Sequence, residues 1–167
     1  MRVILFLLLS LALAQPVAAQ RQSLGIFGQW GAFREKNGNR CFAIAEPQRP
    51  ARDMQWKPFA SVGYWPGRDA KGQLHFRLSR AARPGSILLL RLDERTFQLV
   101  GRGADAWAPD PRADAEIVAA MRSGIAMTIE TRSQRGALIR DVYQLRGAAT
   151  AIDAAAIACA ASRAGRR

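Results

Sequence analysis

One histidine, two cysteines and a scatter of acids are the side chains whose types first suggest chemistry. His75 stands in Leu74-His75-Phe76-Arg77-Leu78, where alternation turns Leu74, Phe76 and Leu78 toward a core and His75 and Arg77 toward water. No Ser, Cys or carboxylate motif adjoins it in the chain, which leaves it without the partner a general base needs. Zinc sites draw on closely spaced cysteine and histidine pairs, whereas Cys41 and Cys159 lie near opposite ends of the chain; no metal and no other cofactor is expected. The acids Asp105, Asp110, Asp114 and Glu116 raise the idea of paired carboxylates. Asp110-Pro111, however, is a helix cap followed by a first-turn proline, and Asp114 and Glu116 then fall at the positive end of that helix. Capping accounts for the last three acids, so the residues predict a protein without catalytic groups.

The elements that would position these residues begin with a hairpin. From Trp30 to Ala45, apolar residues alternate on both sides of Asn37-Gly38, a dipeptide that accepts positive φ twice and favours a tight turn. Cys41 lies in the second arm. Ahead of the hairpin, Arg2, the apolar run Val3–Leu13, Pro16 and the small residues Val17-Ala18-Ala19 make residues 1–19 a signal peptide cleaved before Gln20. The apolar run is too short to span a bilayer comfortably, so no transmembrane segment is expected after cleavage. Export implies an oxidising compartment, periplasmic or secreted, in which Cys41 and Cys159 are expected to be bonded. That bond would close a loop of about 120 residues and stabilise the fold by roughly 4–5 kcal/mol in the chain-entropy account.

The rest of the chain reads as strands and two helices. Phe59–Tyr64, Leu74–Leu78, Ile87–Leu92, Thr96–Val100, Ile125–Thr131 and Ala137–Leu145 are the strand segments. Ile87–Leu92 is nearly continuous in apolar residues, which suits a central strand covered on both faces, and Ile125, Met127 and Ile129 are expected to share a face. Gly101–Pro109 is expected to be irregular, with Trp107 plugging the core. An internal helix starts at Asp110-Pro111 and ends at Gly124, for which a left-handed conformation is expected. Ala148–Ala161 is alanine-rich and forms a C-terminal helix carrying Cys159 on the face of Ile152, Ala155 and Ala156. Residues 20–162 thus make a single domain, and 163–167 a basic tail.

The whole chain has a formal charge of +12, with only Lys36, Lys57 and Lys71 as lysines, so the charge is almost all arginine. Such a balance points to an anionic envelope component or to a protein partner. No nucleic-acid motif and no basic block with interleaved aromatics is present, so no nucleic acid is expected. The outward strand positions Arg77, Arg91 and Arg140 are the candidate anionic-surface contacts. Tyr64 and Trp65, in the turn that ends at Pro66-Gly67, are the candidate partner-contact loop, which would suit an inhibitor of a foreign enzyme. An envelope-polymer hydrolase is the remaining alternative, and Glu116 and Asp141 would be the acids to test in it.

Several short motifs then line up. Gly28-x-Trp30 follows the leader, a cysteine strand comes early, and a helix ends in Met121-Arg122-x-Gly124. A strand pair with Gly136 between its arms leads to Tyr143-x-Leu145-x-Gly147-x-x-x-Ala151. Over most of the chain after the leader this order resembles the invasion associated locus B family of alphaproteobacterial envelope proteins. Ala148 stands where the family usually has an aromatic, and a second cysteine pair near Thr96–Val100 is absent. The resemblance implies a mainly β, immunoglobulin-like antiparallel β-sandwich with one short internal helix and a C-terminal helix, periplasmic or secreted. It implies a binding or accessory role without enzymatic activity and carries over no catalytic residues.

Overall fold

The computed structural model describes residues 21–35, 40–48, 54, 56–68 and 71–164, the last three of these by backbone alone. The leader 1–19, the Asn37-Gly38 turn and residues 165–167 of the expected tail lie outside the described residues, while Arg163 and Ala164 continue the last helix. Ten strands and two helices follow in the order β1 (Arg21–Phe27), β2 (Trp30–Glu35), β3 (Cys41–Ala45), β4 (Phe59–Tyr64), β5 (Lys71–Arg77), β6 (Leu88–Leu92), β7 (Arg95–Arg102), β8 (Asp105–Trp107), α1 (Pro111–Ser123), β9 (Ala126–Arg132), β10 (Leu138–Gln144) and α2 (Ala148–Ala164).

All pairings are antiparallel, and the strands form one curled sheet in the order β1-β2-β3-β4-β5-β8-β7-β6-β9-β10. The expected mainly antiparallel β domain with an internal and a C-terminal helix is present. Its sheet is a continuous half-barrel, and the immunoglobulin-like sandwich does not describe this strand order. The sheet curls far enough that its last strand returns to its first ones. The Gln48 amide donates to Val142 O at 2.7 Å, and the Trp30 indole Nε1 donates to Gln144 O at 2.8 Å.

The concave face is the core. Alternate positions deliver Trp30 and Ala32 from β2, Ala43 and Ala45 from β3, Val62 from β4, Leu74 and Phe76 from β5, all nearly or fully buried. β6 and β9 add Leu88, Leu90, Leu92, Met127 and Ile129. Apart from Trp30 the inward side chains on β2–β4 are small, and the alanine face of α2 lies against them, Ala148 and Ala151 in the same core and Ala155 in a small cluster with the two cysteines. Small residues on both surfaces let the helix backbone approach the sheet closely, and Cys159 then reaches Cys41. The expected bond is formed, with S–S 2.06 Å and Cα–Cα 5.7 Å.

The turn before Trp30 meets the turn before α2 through two glycines. Gly28 (φ +59°) and Gly147 (φ +92°) both occupy the left-handed region, and a Cβ on Gly147 would fall 1.8 Å from Phe27 O. A Cβ on Gly28 would fall 2.4 Å from Arg146 O, so neither position has room for a side chain.

Helix α1 begins as its sequence predicts: the Asp110 carboxylate accepts the Ala113 amide at 2.8 Å, with Pro111 in the first turn. Asp114 does something else. β8 runs beside Phe76 and Arg77 only, and Asp114 Oδ1 accepts the Leu74 amide beyond its reach at 2.8 Å, fastening α1 to β5. Gly124 is extended (φ −77°, ψ 163°) instead of left-handed, and glycine is needed there because a Cβ would meet Leu92 and Leu145 within 3 Å. β1 and β8 were not expected as strands. β1 is a polar edge without alternation, and β8 has three residues, so only pairing with neighbours reveals either. β6 is central in order but covered on one face, with Arg91 exposed, and Ile125 is 76% exposed in the turn before β9.

Loss of the disulfide is expected to lower the unfolding free energy by roughly 2–5 kcal/mol in Cys41→Ala/Cys159→Ala, read by urea titration. An unchanged midpoint would mean that the packing of α2 holds without it. A second expectation concerns Asp141, 5% exposed, which accepts the Ser79 amide at 2.8 Å. Burial raises its pKa above 3.8, against the opposing hydrogen bonds from Ser79. Its contribution to stability is therefore present below pH 3.8 and is lost as pH rises through the raised native value. Asp141→Asn keeps an acceptor for Ser79 and removes the titration. The variant should gain stability relative to the parent from pH 3 toward neutrality, and parallel pH profiles would refute this.

Candidate functional site

The strand alternation that fills the concave face sends the opposite set of side chains to the convex face of β1–β5 and β8. These side chains are aromatic and basic. Phe33 stacks on Phe42 with centroids 5.7 Å apart, and the Arg40 guanidinium lies 4.6 Å from the Phe42 ring and 5.2 Å from the Trp65 ring. The Arg21 guanidinium lies 5.6 Å from the same Phe42 ring. Two glycines make the floor: a Cβ on Gly31 would come within 2.6 Å of the Phe33 ring, and one on Gly63 within 2.6 Å of the Trp65 ring. The rings are therefore laid across the sheet.

Arg40 has one carboxylate nearby, Glu35 at 4.0 Å, and its Nε finds no partner among the described residues. Burial lowers its pKa, Glu35 opposes this, and Arg21 adds to it. The cation–π contacts offset part of the lost hydration.

The other end of the face is built on β4, β5 and β8. Ser61 lies opposite His75, and Arg77 opposite Asp105. His75 Nε2 donates to Asp105 Oδ1 at 2.9 Å, its ring stacks on Trp107 at 5.3 Å and 4°, and Phe59 meets it edge-on at 5.1 Å. Arg77 reaches the same Asp105 oxygen at 3.6 Å and lies 5.3 Å over Trp56, whose indole is fixed by a bond to Leu78 O. The Arg77 Nε also has no partner among the described residues. Two expectations change here. His75 has a carboxylate neighbour, supplied by a strand 30 residues away, and Trp107 is half-buried on the convex face instead of in the core.

Ser61, His75 and Asp105 are the three residue types of a hydrolytic triad, but their geometry is different. Ser61 is 1% exposed, and its hydroxyl donates to the His75 carbonyl oxygen at 3.3 Å. A nucleophile must face substrate and hand its proton to the imidazole. Glu116 is tied to Arg112 on the surface of α1, and Asp141 is buried against Ser79.

The arginines named from the sequence divide. Arg77 belongs to the face just described. Arg91 and Arg140 converge on one acid, Glu130, at 2.8 and 3.0 Å, on the convex side of β6, β9 and β10. Trp65 joins the aromatic face, while Tyr64 points to the helix side. There, Tyr64, Trp65, Pro66 and the α2 residues Ala156 and Ala160 line a cleft of about 250 Å³ beside Cys159. Burial raises the Tyr64 pKa, and Arg122, which bonds it, opposes the shift. Arg40 and His75 were not singled out as binding residues, because their neighbours come from other strands.

No protein-family description matches the chain, and no curated protein matches it. A solved structure does: the crystal structure of invasion associated protein B from Bartonella henselae, with a TM-score of 0.58 at 15% identity, covers 85% of this chain and 99% of that one. At that identity the likeness is one of fold. The fold, the disulfide and the lack of any described helix long and apolar enough to cross a membrane are compatible with an extracytoplasmic protein.

The Glu130 cluster gives a direct check. The Arg91 hydrogen bond is the largest influence holding the Glu130 pKa below 4.5. In Arg91→Ala the Glu130 carboxyl should titrate at higher pH than in the parent, and by a larger change than in Arg140→Ala, followed by carbon NMR of the carboxyl. A Glu130 that does not move would mean that the two arginines are free to meet an external anion.

Proposed function

We propose that this protein is an exported, periplasmic or secreted, non-catalytic binding or accessory protein of the Gram-negative envelope, akin in role as in fold to the invasion associated locus B proteins. Its contact surface is the convex aromatic–arginine face, and its partner is anionic. The observation that carries the reading is the mounting of Arg40 and Arg77 on aromatic rings at the convex surface. A guanidinium held in this way is pre-ordered, so less side-chain entropy is lost when it meets an anion. The net charge, +12 for the whole chain and +11 once Arg2 leaves with the leader, would steer such a partner toward the molecule. What supports a non-catalytic role is the geometry of Ser61, whose hydroxyl is committed to backbone and shielded from solvent.

The test is capture of envelope components by the oxidised exported protein and by Arg40→Ala/Arg77→Ala, at low and high salt. Capture that weakens with salt and is reduced severalfold in the double variant is expected, since exposed charge contacts are screened over about 8–10 Å. Salt-resistant capture of one protein, unchanged in the variant and lost when the Tyr64–Trp65 turn is altered, would favour an inhibitor instead. Turnover of an envelope polymer would favour a hydrolase.

A further inference from the structure

The convex face has a spacing and a charge pattern that narrow its ligand. Phe42 and Arg77 lie two strands and four register positions apart, roughly 16 Å at ordinary strand spacing and rise. The two arginine stations therefore stand at opposite ends of one open surface, with Phe59, His75 and Trp107 at one end and Phe33 and Trp65 at the other. Each station also holds an acid: Glu35 beside Arg40, and Asp105 beside Arg77. Arg102, across the ladder from Asp105, and Arg21, across from Glu35, add two more cations on the same side. Positive charge is thus in excess and interrupted.

A densely charged polyanion would bring phosphates or carboxylates against Glu35 and Asp105 as well as against the arginines, and like charges at such range are unfavourable. A polymer with anionic units separated by neutral, hydroxylated ones avoids that. Its charges meet the arginines, and its hydroxyls donate to the carboxylates, which act as acceptors only. Flat rings laid on glycine suit such a chain too, because a pyranose offers a broad C–H face that packs on an aromatic ring. Resting on the binding role proposed above, we infer that this face takes a linear acidic polysaccharide whose carboxylate-bearing sugars are spaced along the chain. Trp107, held parallel to His75, is the stacking platform at the Arg77 station.

The test compares probes differing in rings and in charge density: hyaluronate, in which uronate and neutral N-acetylglucosamine alternate, dextran as the neutral polymer, and poly-glutamate as a dense polyanion without sugar rings. Titration calorimetry with the full exported, oxidised protein should show hyaluronate bound at least tenfold more tightly than poly-glutamate. Trp107→Leu, which keeps every charge, should weaken hyaluronate by up to roughly tenfold, the scale of an aromatic contact. Trp107→Phe should restore most of the affinity. A melting temperature close to the parent's checks the fold of each variant, and Trp65→Leu, at the other station, provides an independent loss if Trp107→Leu is unstable.

Equal binding of hyaluronate and poly-glutamate, indifferent to both tryptophans, would overturn the inference in favour of charge alone. No binding of hyaluronate, with salt-sensitive capture of envelope components retained, would overturn it while leaving the binding role intact. Loss of both would remove that role as well.

Discussion

A contact with almost no side chain in it closes this molecule. Gly28 and Gly147 bring the first turn of the sheet against the turn that launches the last helix, with backbone oxygens where any Cβ would have to sit. The Trp30 indole donates to Gln144 O at the same junction, and Gln29 donates its amide to Arg146 O at 3.3 Å. This meeting fixes where β10 ends relative to β2. Once the ends meet, α2 has one place to lie, across the alanine positions of β2, β3 and β4. The Cys41–Cys159 bond then converts that placement into a covalent one.

The two faces of the curled sheet divide the work. The concave side buries its apolar residues under the helices and carries little charge beyond Asp114 and Asp141, each bound to a backbone amide. The convex side of β1–β5 and β8 is covered by neither helix. There guanidinium groups rest on rings, and rings rest on glycines. Charge on this face is half-desolvated and oriented before any partner arrives, which distinguishes it from the Arg91–Glu130–Arg140 cluster, where cation and carboxylate already satisfy one another. The arginines therefore divide between ring-mounted cations in one region and internal pairing in another.

His75 shows how a single residue can be read two ways. Alone in a strand it has no chemistry. In the fold it is joined to Asp105, flanked by Trp107 and Phe59, and set opposite a serine. The grouping has the composition of a catalytic site, and its imidazole is bonded to Asp105 and stacked on a tryptophan ring.

Local pattern was enough for much of the architecture. Period-two alternation marked β5, β9 and β10, Asp110-Pro111 marked the start of α1, and the pairing of the two cysteines followed from an expectation of export and a count of two. Those features depend on neighbours in sequence or on a count. The rest depended on neighbours in space. β1 and β8 are strands only because other strands pair with them, Gly124 is required by Leu92 and Leu145 instead of by its own φ, and Asp114 serves an amide 40 residues away. The half-barrel, against an expected sandwich, was decided by how far the sheet curls before its ends meet, a sum of small twists that no single segment encodes. The convex face was hidden for the same reason: Arg40, Trp65 and Arg77 come from different strands or the turns beside them, Asp105 and Trp107 from a fourth strand, and the register of the ladder sets them on one face.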